Sequence, residues 1–479
     1  MRTQTFRYIS VLLATLLLTP QAPLWATCGG GGGGGMGGMG GGPNEPSYQV
    51  PWKILKGNDA PPKDGLILYW FPISQIEIEK SSLRQSRLLS LYASQCVALE
   101  IAGTDNPTGQ KLTGGGKLPM AVLAQPDDTV VGRVENKDGM LQVDRVEKML
   151  DEEMKKRESA VKERLESGKS KAKSGDKDAA VTELRGVVAQ KCMFPGKAKD
   201  AAKELKKLGV TDVGQIFDAP NFDPAVSAKM VRLMADGLAA ENAARYPEAE
   251  KLYAEAHRLD PADPIPMRYL GEVYRHQLGD WTRARAVFNE ILAMPADPMS
   301  RAVALHGLGK ITIHEGSFKE GLALMERSVQ EYPLALAYRN LAVYWNSEGD
   351  AQKTNYYVAK ALELQPHDPF NVVFAAVFMA QNGKGDEALK IAKENESLMP
   401  ASYNLAAIYA QMGQKEKALA LLKRHFFEYE RYQAVRSKEM MEARVDAVFA
   451  SIKTDPQFVS MTAGADGMLD PAKAMSERR

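Results

Sequence analysis

The stretch GLAAENAARYPEAEKLYAEAHRLDP, from Gly237 to Pro261, decides the fold of most of this 479-residue chain. The small residue Gly237 is followed twelve residues later by Ala249, then by the aromatic Tyr253 and finally by Pro261. Small residues on two helical segments allow the segments to approach closely, while a large side chain fills the space beside them. Because proline lacks a backbone N–H, Pro261 ends the second segment. The stretch therefore predicts a pair of packed helices.

The same pattern returns along the chain with a period near 34 residues. The first small residue of each unit is Gly237, Gly271, Gly309, Ala342, Ala376 or Ala406, and the second is Ala249, Ala284, Gly321, Thr354, Ala388 or Ala418. A proline follows the second helix at positions 261, 295, 333, 366 and 400. These residues resemble tetratricopeptide repeats. The resemblance implies an all-α solenoid of about six helix pairs over residues 218–430, with capping helices over 431–463.

In that family the first helix of each repeat lines an inner groove that binds protein segments. The residues at the corresponding positions, which we expect to contact a peptide or helix of a partner, are Arg268, Glu272, Arg275, His306, Lys310, Arg339, Asn346 and Tyr403. The middle of this set is basic, which favours an acidic or carboxylate-bearing segment. The alternative is that these are ordinary solvated charges.

Residues 48–150 show a different pattern, in which strands and helices alternate. The predicted elements are a strand at Gly65–Phe71, a helix at Gln75–Ser94, strands at Cys96–Ala102, Met120–Ala124 and Val130–Val134, and a helix from Val143. The stretch GLILYWFPIS, from Gly65 to Ser74, contains Trp70 near the end of its strand. In the stretch KLPMAVL, Pro119 directly precedes the next strand but one.

This order resembles the thioredoxin fold, in which a Trp precedes the Cys-x-x-Cys motif and a cis-proline faces it. Here Phe71 and Ser74 stand where the two cysteines would be, and neither can exchange disulfides. Ser74 is predicted to cap a helix instead. The resemblance implies an α/β thioredoxin-like domain without redox chemistry, whose binding face contains Trp70, Phe71, Pro72, Ser74 and Pro119.

The three cysteines, Cys28, Cys96 and Cys192, form no C-x-x-C motif. Cys96 is predicted to be a buried thiol in a strand, and the sequence offers Cys192 no partner. Motifs for zinc proteases, phosphate loops and serine hydrolases are absent from the sequence. We therefore expect no catalytic, cofactor or metal site. The alternative is a thiol-dependent oxidoreductase or peroxidase that uses one cysteine alone.

The N-terminus predicts export. Arg2 and Arg7 precede an apolar run over Tyr8–Leu18. This run is too short to span a membrane, and together with the arginines it indicates a signal peptide over residues 1–26. A Gly-rich linker over residues 27–47 follows. Its second residue is Cys28, which is either the lipid-anchored residue of a bacterial lipoprotein or an unmodified cysteine of a secreted chain. The expected location is the periplasm, the outer membrane or the medium.

The charge balance excludes a dedicated nucleic-acid binder, because 61 basic residues face 60 acidic ones. Residues 151–217 are predicted to be a charged helical connector, and residues 464–479 a disordered tail. The sequence thus predicts an exported scaffold that binds protein partners of the cell envelope. A self-associating structural protein remains a second alternative.

Overall fold

The computed structural model describes residues 48–55, 62, 65–137, 139–399, 402–429 and 433–463. Within these ranges a small mixed sheet with short helices comes first, charged helices follow, and paired helices make up the rest. The predicted signal peptide, Gly-rich linker and disordered tail lie outside the described residues.

Five strands form the sheet in the spatial order β1-β3-β2-β4-β5. They are β1 (Lys53–Ile54), β2 (Leu66–Phe71), β3 (Val97–Ile101), β4 (Met120–Ala124) and β5 (Val130–Glu135). β1 and β2 pair with β3 in parallel, whereas β4 is antiparallel to both β2 and β5. Every residue of β2 and β4 is buried, because the centre of the sheet is covered on both faces.

Short helices cover these faces: α1 (Gln75–Lys80), α2 (Arg87–Ala93) and α3 (Pro107–Thr113). On one face, Leu68 and Trp70 share a core with Leu89 of α2. On the other, Ile67 packs with Leu112 of α3. Successive side chains of β2 therefore serve two different cores, as the pleat of a strand requires.

The predicted continuous helix over Gln75–Ser94 is wrong, because two serines restart the chain within it. The side chain of Ser81 accepts a hydrogen bond from the Leu83 N–H, and that of Ser86 accepts one from the Leu89 N–H. Serine side chains that bind nearby backbone groups compete with a continuous helix. As a result α1 and α2 are separate, with a single 3₁₀ turn between them.

Three helices follow the sheet: α4 (Val143–Lys173), α5 (Lys177–Val188) and α6 (Pro195–Lys207). Leu165, Leu184 and Leu205 form a small core between them. Their charges lie outside this core, for example in the exposed pair of Arg164 and Glu183. This arrangement agrees with a helical segment whose charged face is solvated.

A disulfide joins Cys96 to Cys192. Cys96 lies just before β3, and Cys192 lies between α5 and α6. The prediction that Cys96 is a buried thiol within a strand is therefore wrong, and Cys192, for which the sequence offered no partner, is bonded to it. The two residues are 96 positions apart in sequence, so that only the packing of the α5–α6 connection beside the sheet brings them together.

Six pairs of packed helices make up the next part of the described chain. They are α7 (Pro224–Asn242) with α8 (Tyr246–Leu259), α9 (Pro264–Glu272) with α10 (Trp281–Ala293), α11 (Pro298–His314) with α12 (Phe318–Glu331), α13 (Ala335–Ser347) with α14 (Ala351–Leu364), α15 (Pro369–Gln381) with α16 (Gly385–Asn395), and α17 (Tyr403–Gln411) with α18 (Lys415–Arg424). A π-helical turn, Val273–Gln277, extends α9.

Small residues permit the helix crossings. A Cβ atom on Gly237 would lie 2.4 Å from the ring of Tyr253, and one on Gly271 would lie 2.4 Å from the ring of Phe288. Both distances are far shorter than van der Waals contact. The predicted role of these positions is confirmed.

Prolines and aspartates set the helix ends. α8, α10, α12 and α14 each stop two residues before the proline predicted to end them. Asp263, Asp297 and Asp368 then cap the next first helix, each followed by a proline in the first turn. The repeated Asp-Pro pair thus explains where α9, α11 and α15 begin.

The five-stranded sheet and its helices α1 to α3, which we call the sheet unit, pack against the repeats. The contacts lie where the second helix of one repeat leads into the first helix of the next. Arg87 of α2 donates to Asp260 at 2.5 Å and to Asp263 at 3.1 Å, and the Tyr48 hydroxyl donates to Asp263 at 3.1 Å. These side chains are buried. Buried ionic contacts of this kind hold the two parts in one arrangement.

Two helices close the described chain, α19 (Gln433–Val445) and α20 (Pro456–Thr462). α20 packs on α18, and α19 packs against α20. It contacts the π-helical turn at Val273–Gln277, which belongs to the second repeat. We call the surface formed by α9, α11, α13, α15 and α17 the inner face.

Candidate protein-binding groove

The structure buries most of the predicted groove residues. Seven of the eight are at most 4% exposed, namely Arg268, Glu272, Arg275, His306, Lys310, Arg339 and Tyr403. Asn346 is partly buried. The alternative prediction of ordinary solvated charges is therefore wrong for the charged side chains among these seven.

Four of these residues meet at the centre of the inner face, around His306. Burial, and then the charges of Arg275, Lys310 and Arg339, hold the pKa of His306 well below its ordinary value. The imidazole is therefore neutral. Its Nε2 lies 2.8 Å from the side-chain nitrogen of Asn340 and accepts from it, so that the proton lies on Nδ1. That Nδ1 atom is buried without a hydrogen-bonding partner among the described residues.

Arg275 forms a buried bidentate pair with Glu272. Its Nε and Nη2 atoms lie 3.0 and 2.6 Å from the two carboxylate oxygens. Although burial acts to lower it, the pKa of Arg275 is raised, chiefly by Glu272 and also by Glu442 of α19. Its third nitrogen, Nη1, has no hydrogen-bonding partner in the described part of the chain. One donor of this guanidinium is thus buried and unsatisfied within the described residues.

Lys310 and Arg339 contact aromatic and amide groups. Lys310 donates to the Tyr344 hydroxyl at 2.8 Å. Arg339 donates to the side-chain oxygen of Asn371, and its guanidinium lies 4.5 Å from the centre of the Phe370 ring. Burial lowers the pKa of Arg339 to about 10. These contacts hold the two cationic side chains in buried positions.

Arg268 stands apart from this cluster. Its side chain is fully buried, and none of its three guanidinium nitrogens has a hydrogen-bonding partner among the residues that the structure describes. The Tyr269 ring, 5.7 Å from the guanidinium carbon, is a neighbour. Unused donors on a buried cation are costly. Carboxylate or carbonyl oxygens are the groups that would satisfy them.

Acidic residues in and directly after α19, which were not predicted, contact side chains of the repeats and of the turn after α18. Glu439, Glu442 and Asp446 lie near His425, His314 and Tyr403, respectively. The available signal was their spacing of three and seven residues, which places them on one side of a helix.

The second predicted face, at the end of β2, is only partly accessible. Trp70, Phe71 and Pro119 are buried, whereas Pro72 is partly exposed and Ser74 is exposed. The Leu118–Pro119 bond is cis.

The local structure at the end of β2 is fixed by hydrogen bonds to Glu77. Ser74 caps α1, as predicted, by accepting from the Glu77 N–H at 3.2 Å. Glu77 in turn accepts from the Trp70 indole at 3.2 Å and from the Ile73 N–H at 2.8 Å. Ile73 and Ile76 are 61% and 62% exposed and give this end of the sheet an apolar surface.

Three further features concern the lipidation candidate, metal binding and membrane-spanning helices. Cys28 lies outside the described residues. Among the residues that are described, no group of three or more His, Cys, Asp or Glu side chains could hold a metal ion. No helix in the same ranges is both long and apolar enough to cross a membrane.

Sequence similarity to known proteins supports the assignment of the helix pairs as repeats. A family model described as Tetratricopeptide repeat matches residues 234–298. The Protein CTR9 homolog of Arabidopsis thaliana is 24% identical over 233 residues, which cover 38% of this chain and 21% of that protein. This chain therefore spans about a fifth of the length of that relative. The chain carries tetratricopeptide repeats, a type of repeat that generally mediates protein–protein interaction.

Solved structures give a weaker likeness. The human IFIT1 dimer with m7Gppp-AAAA is 13% identical with a TM-score of 0.35, and the match covers 64% of this chain and 78% of that chain. The TPR domain of P58(IPK) is 12% identical with a TM-score of 0.23, over 67% of this chain and 99% of that chain.

Proposed function

We propose that this protein is an exported bacterial scaffold that binds helices or peptide segments of envelope proteins on its inner face. The observation that carries the proposal is the set of unused, buried donors on Arg268, Arg275 and His306. Carboxylate or carbonyl groups of a bound chain would satisfy them, and charge-assisted hydrogen bonds of this kind are the stronger ones.

The sheet unit is proposed to be a thioredoxin-like domain without redox chemistry. Its strand order and the cis-proline before β4 support this proposal. Thiol–disulfide exchange needs a reactive thiolate, and the residues Phe71 to Ser74 contain no cysteine. The lone-thiol alternative is weakened, because Cys96 and Cys192 are joined to each other. The exposed Ile73 and Ile76 would instead contact an extended partner segment.

Export is supported by two independent features. Residues 1–26 have the pattern of a signal peptide, and disulfides such as Cys96–Cys192 persist mainly in oxidising compartments. Cell fractionation followed by mass spectrometry of the mature N-terminus tests the proposal. A chain that keeps residues 1–26 and stays in the cytoplasm would contradict it. A mass increase at Cys28 that corresponds to acyl chains would identify a lipoprotein.

A site-specific crosslinking experiment tests the inner face. A photo-reactive phenylalanine analogue replaces Asn346, the predicted groove residue that keeps solvent access, and in a matched control it replaces Lys390 on the exposed side of α16. The full chain is irradiated in envelope extract. We expect one discrete protein to be captured through position 346 and not through position 390.

Two other results have clear meanings. Capture of the same proteins through both positions would contradict a role of the inner face. A crosslink between two copies of this chain would show the self-associating structural protein that the sequence left as an alternative.

A further inference from the structure

Helix α19 carries an acidic stripe. Glu439 and Glu442 are three residues apart, and Asp446, directly after the helix, is seven residues from Glu439. Residues at these spacings lie on the same side of a helix. Met440 and Ala443 are buried in the core that the last repeats share. α19 is therefore amphipathic, with acids next to its apolar side.

Each acid of the stripe faces a polar group of the repeats. The Glu439 carboxylate lies 2.9 Å from His425 Nε2, and both side chains are buried. The Tyr403 hydroxyl donates to Asp446 at 3.2 Å. These two contacts hold the helix against the last repeat and the π-helical turn His425–Tyr429 that follows α18.

Glu442 extends the contact to earlier repeats. Its carboxylate lies 3.9 Å from His314 Nε2 at the end of α11, and its charge contributes to the raised pKa of Arg275 in the second repeat. The contacts of α19 and Asp446 thus extend from the sixth repeat through the third to the second. In this position α19 occupies the surface that the proposed function assigns to a partner.

The occupation is incomplete. The Nη1 atom of Arg275 and the Nδ1 atom of His306 are buried without hydrogen-bonding partners in the described ranges. A ligand with more acceptors in the same place would satisfy groups that α19 leaves unsatisfied. Differential binding of this kind is what allows one ligand to replace another.

We propose that α19 is an internal occupant of the inner face, and that the partner binds by inserting an acidic amphipathic helix that displaces it. This inference rests on the proposed function and names the chemistry of its partner: acidic residues at positions i, i+3 and i+7 beside an apolar stripe. Because α19 is tethered to the repeats, it competes at a high effective concentration. The apparent affinity for the partner falls with the fraction of molecules in which α19 is released.

The test uses a fluorescent synthetic peptide of residues 433–449 as the probe and measures its binding to the full chain by anisotropy. Glu442→Gln removes the central charge at nearly constant shape, and Glu442→Lys reverses it. Both weaken the internal helix and leave the repeats unchanged. We expect the peptide to bind about tenfold more tightly to Glu442→Lys than to the unchanged chain, with Glu442→Gln in between.

Two controls make the result specific. Glu394→Lys reverses an exposed charge on α16, outside the stripe, and is expected to leave the affinity unchanged. A peptide in which all three acids of the stripe are replaced by lysine is expected to bind at least tenfold more weakly than the native peptide. Circular dichroism and thermal unfolding establish that each chain is folded, and Glu442→Gln decides the matter if Glu442→Lys is not.

Equal affinity of the peptide for all folded chains would overturn the inference, as would equal binding of the lysine peptide. These failures are distinguishable from failure of the proposed function. If crosslinking through position 346 still captures a discrete partner, only the displacement by an acidic helix is wrong. If neither the peptide nor a partner binds, both proposals fall.

Discussion

Glu241 of α7 shows how strongly burial within the repeats affects a single side chain. The Tyr253 hydroxyl donates to its Oε2 atom at 3.0 Å, whereas Oε1 has no hydrogen-bonding partner among the described residues. Burial raises the pKa of Glu241 from 4.5 to about 7. The folded state therefore holds this proton more tightly than the unfolded state does. Stability from the protonated group is fully present below about pH 4.5 and is lost as the pH rises through 7.

Replacing Glu241 with Gln is expected to stabilise the protein at high pH. Gln keeps the acceptor for Tyr253 and removes the charge, so that the free energy of unfolding at pH 8 rises by about 2–3 kcal/mol. At pH 4.5 and below, most of this difference disappears. Urea unfolding of both chains at the two pH values measures the effect. Glu290→Gln, at an exposed position, is the control, and a pH-independent difference for Glu241→Gln would contradict the assignment.

At the scale of the helix pair, close crossings limit which residues fit. A Cβ atom on Gly271 would overlap the ring of Phe288, which is itself fully buried. Gly271→Ala is therefore expected to destabilise the chain by about 1–3 kcal/mol through overpacking. Thermal unfolding compares it with Gly196→Ala in α6, where no atom lies within 4 Å of the added carbon. If the two variants melt together, the crossing at α9 is looser than the structure shows.

The disulfide links two elements that the sequence places far apart. Because Cys96 and Cys192 enclose a long loop, their bond constrains the unfolded chain, and we expect the double variant Cys96→Ser/Cys192→Ser to lose about 2–4 kcal/mol. A reductant should lower the melting temperature of the natural chain and leave that of the variant unchanged. Alkylation of both cysteines in the denatured but unreduced protein would show instead that the bond does not form.

At the scale of the whole molecule, Arg87 connects the sheet unit to the repeats. It pairs with Asp260 and Asp263, and it also donates to the Ser227 hydroxyl at 2.8 Å. A second link runs from the Tyr332 hydroxyl to the Trp52 carbonyl at 2.8 Å. The sheet unit is thus positioned by buried polar contacts with several repeats.

Removing Arg87 should leave two buried carboxylates without their cation. We expect Arg87→Met to lower the free energy of unfolding by about 3–5 kcal/mol. Denaturant unfolding measures the loss, and Arg327→Met, at an exposed position of α12, provides the control. A loss equal to that of the control would mean that Arg87 does not hold the two parts together.

Local patterns in the sequence predicted much of this architecture. The spacing of small residues and prolines predicted the helix pairs, because crossings and helix ends depend on residues close in sequence. Apolar runs likewise predicted β2, β4 and β5. The two-residue β1 and the polar α3 have no counterpart among the predicted elements, because neither carries a periodic apolar signal. The serine breaks between α1 and α2 were missed, because a side chain that caps one turn also fits within a longer helix.

The sequence by itself determined the repeats, four of the five strands of the sheet and the absence of cysteines after Trp70. Tertiary structure alone decided that Cys96 meets Cys192, that Arg87 reaches Asp260, and that the groove residues are buried. These outcomes depend on contacts between residues that are tens to hundreds of positions apart. Periodicity specifies which side of a helix is apolar, but it does not specify which distant segment covers that side. That choice depends on how the charges and shapes of α19 and the sheet unit fit the repeats, and only the folded chain brings them together.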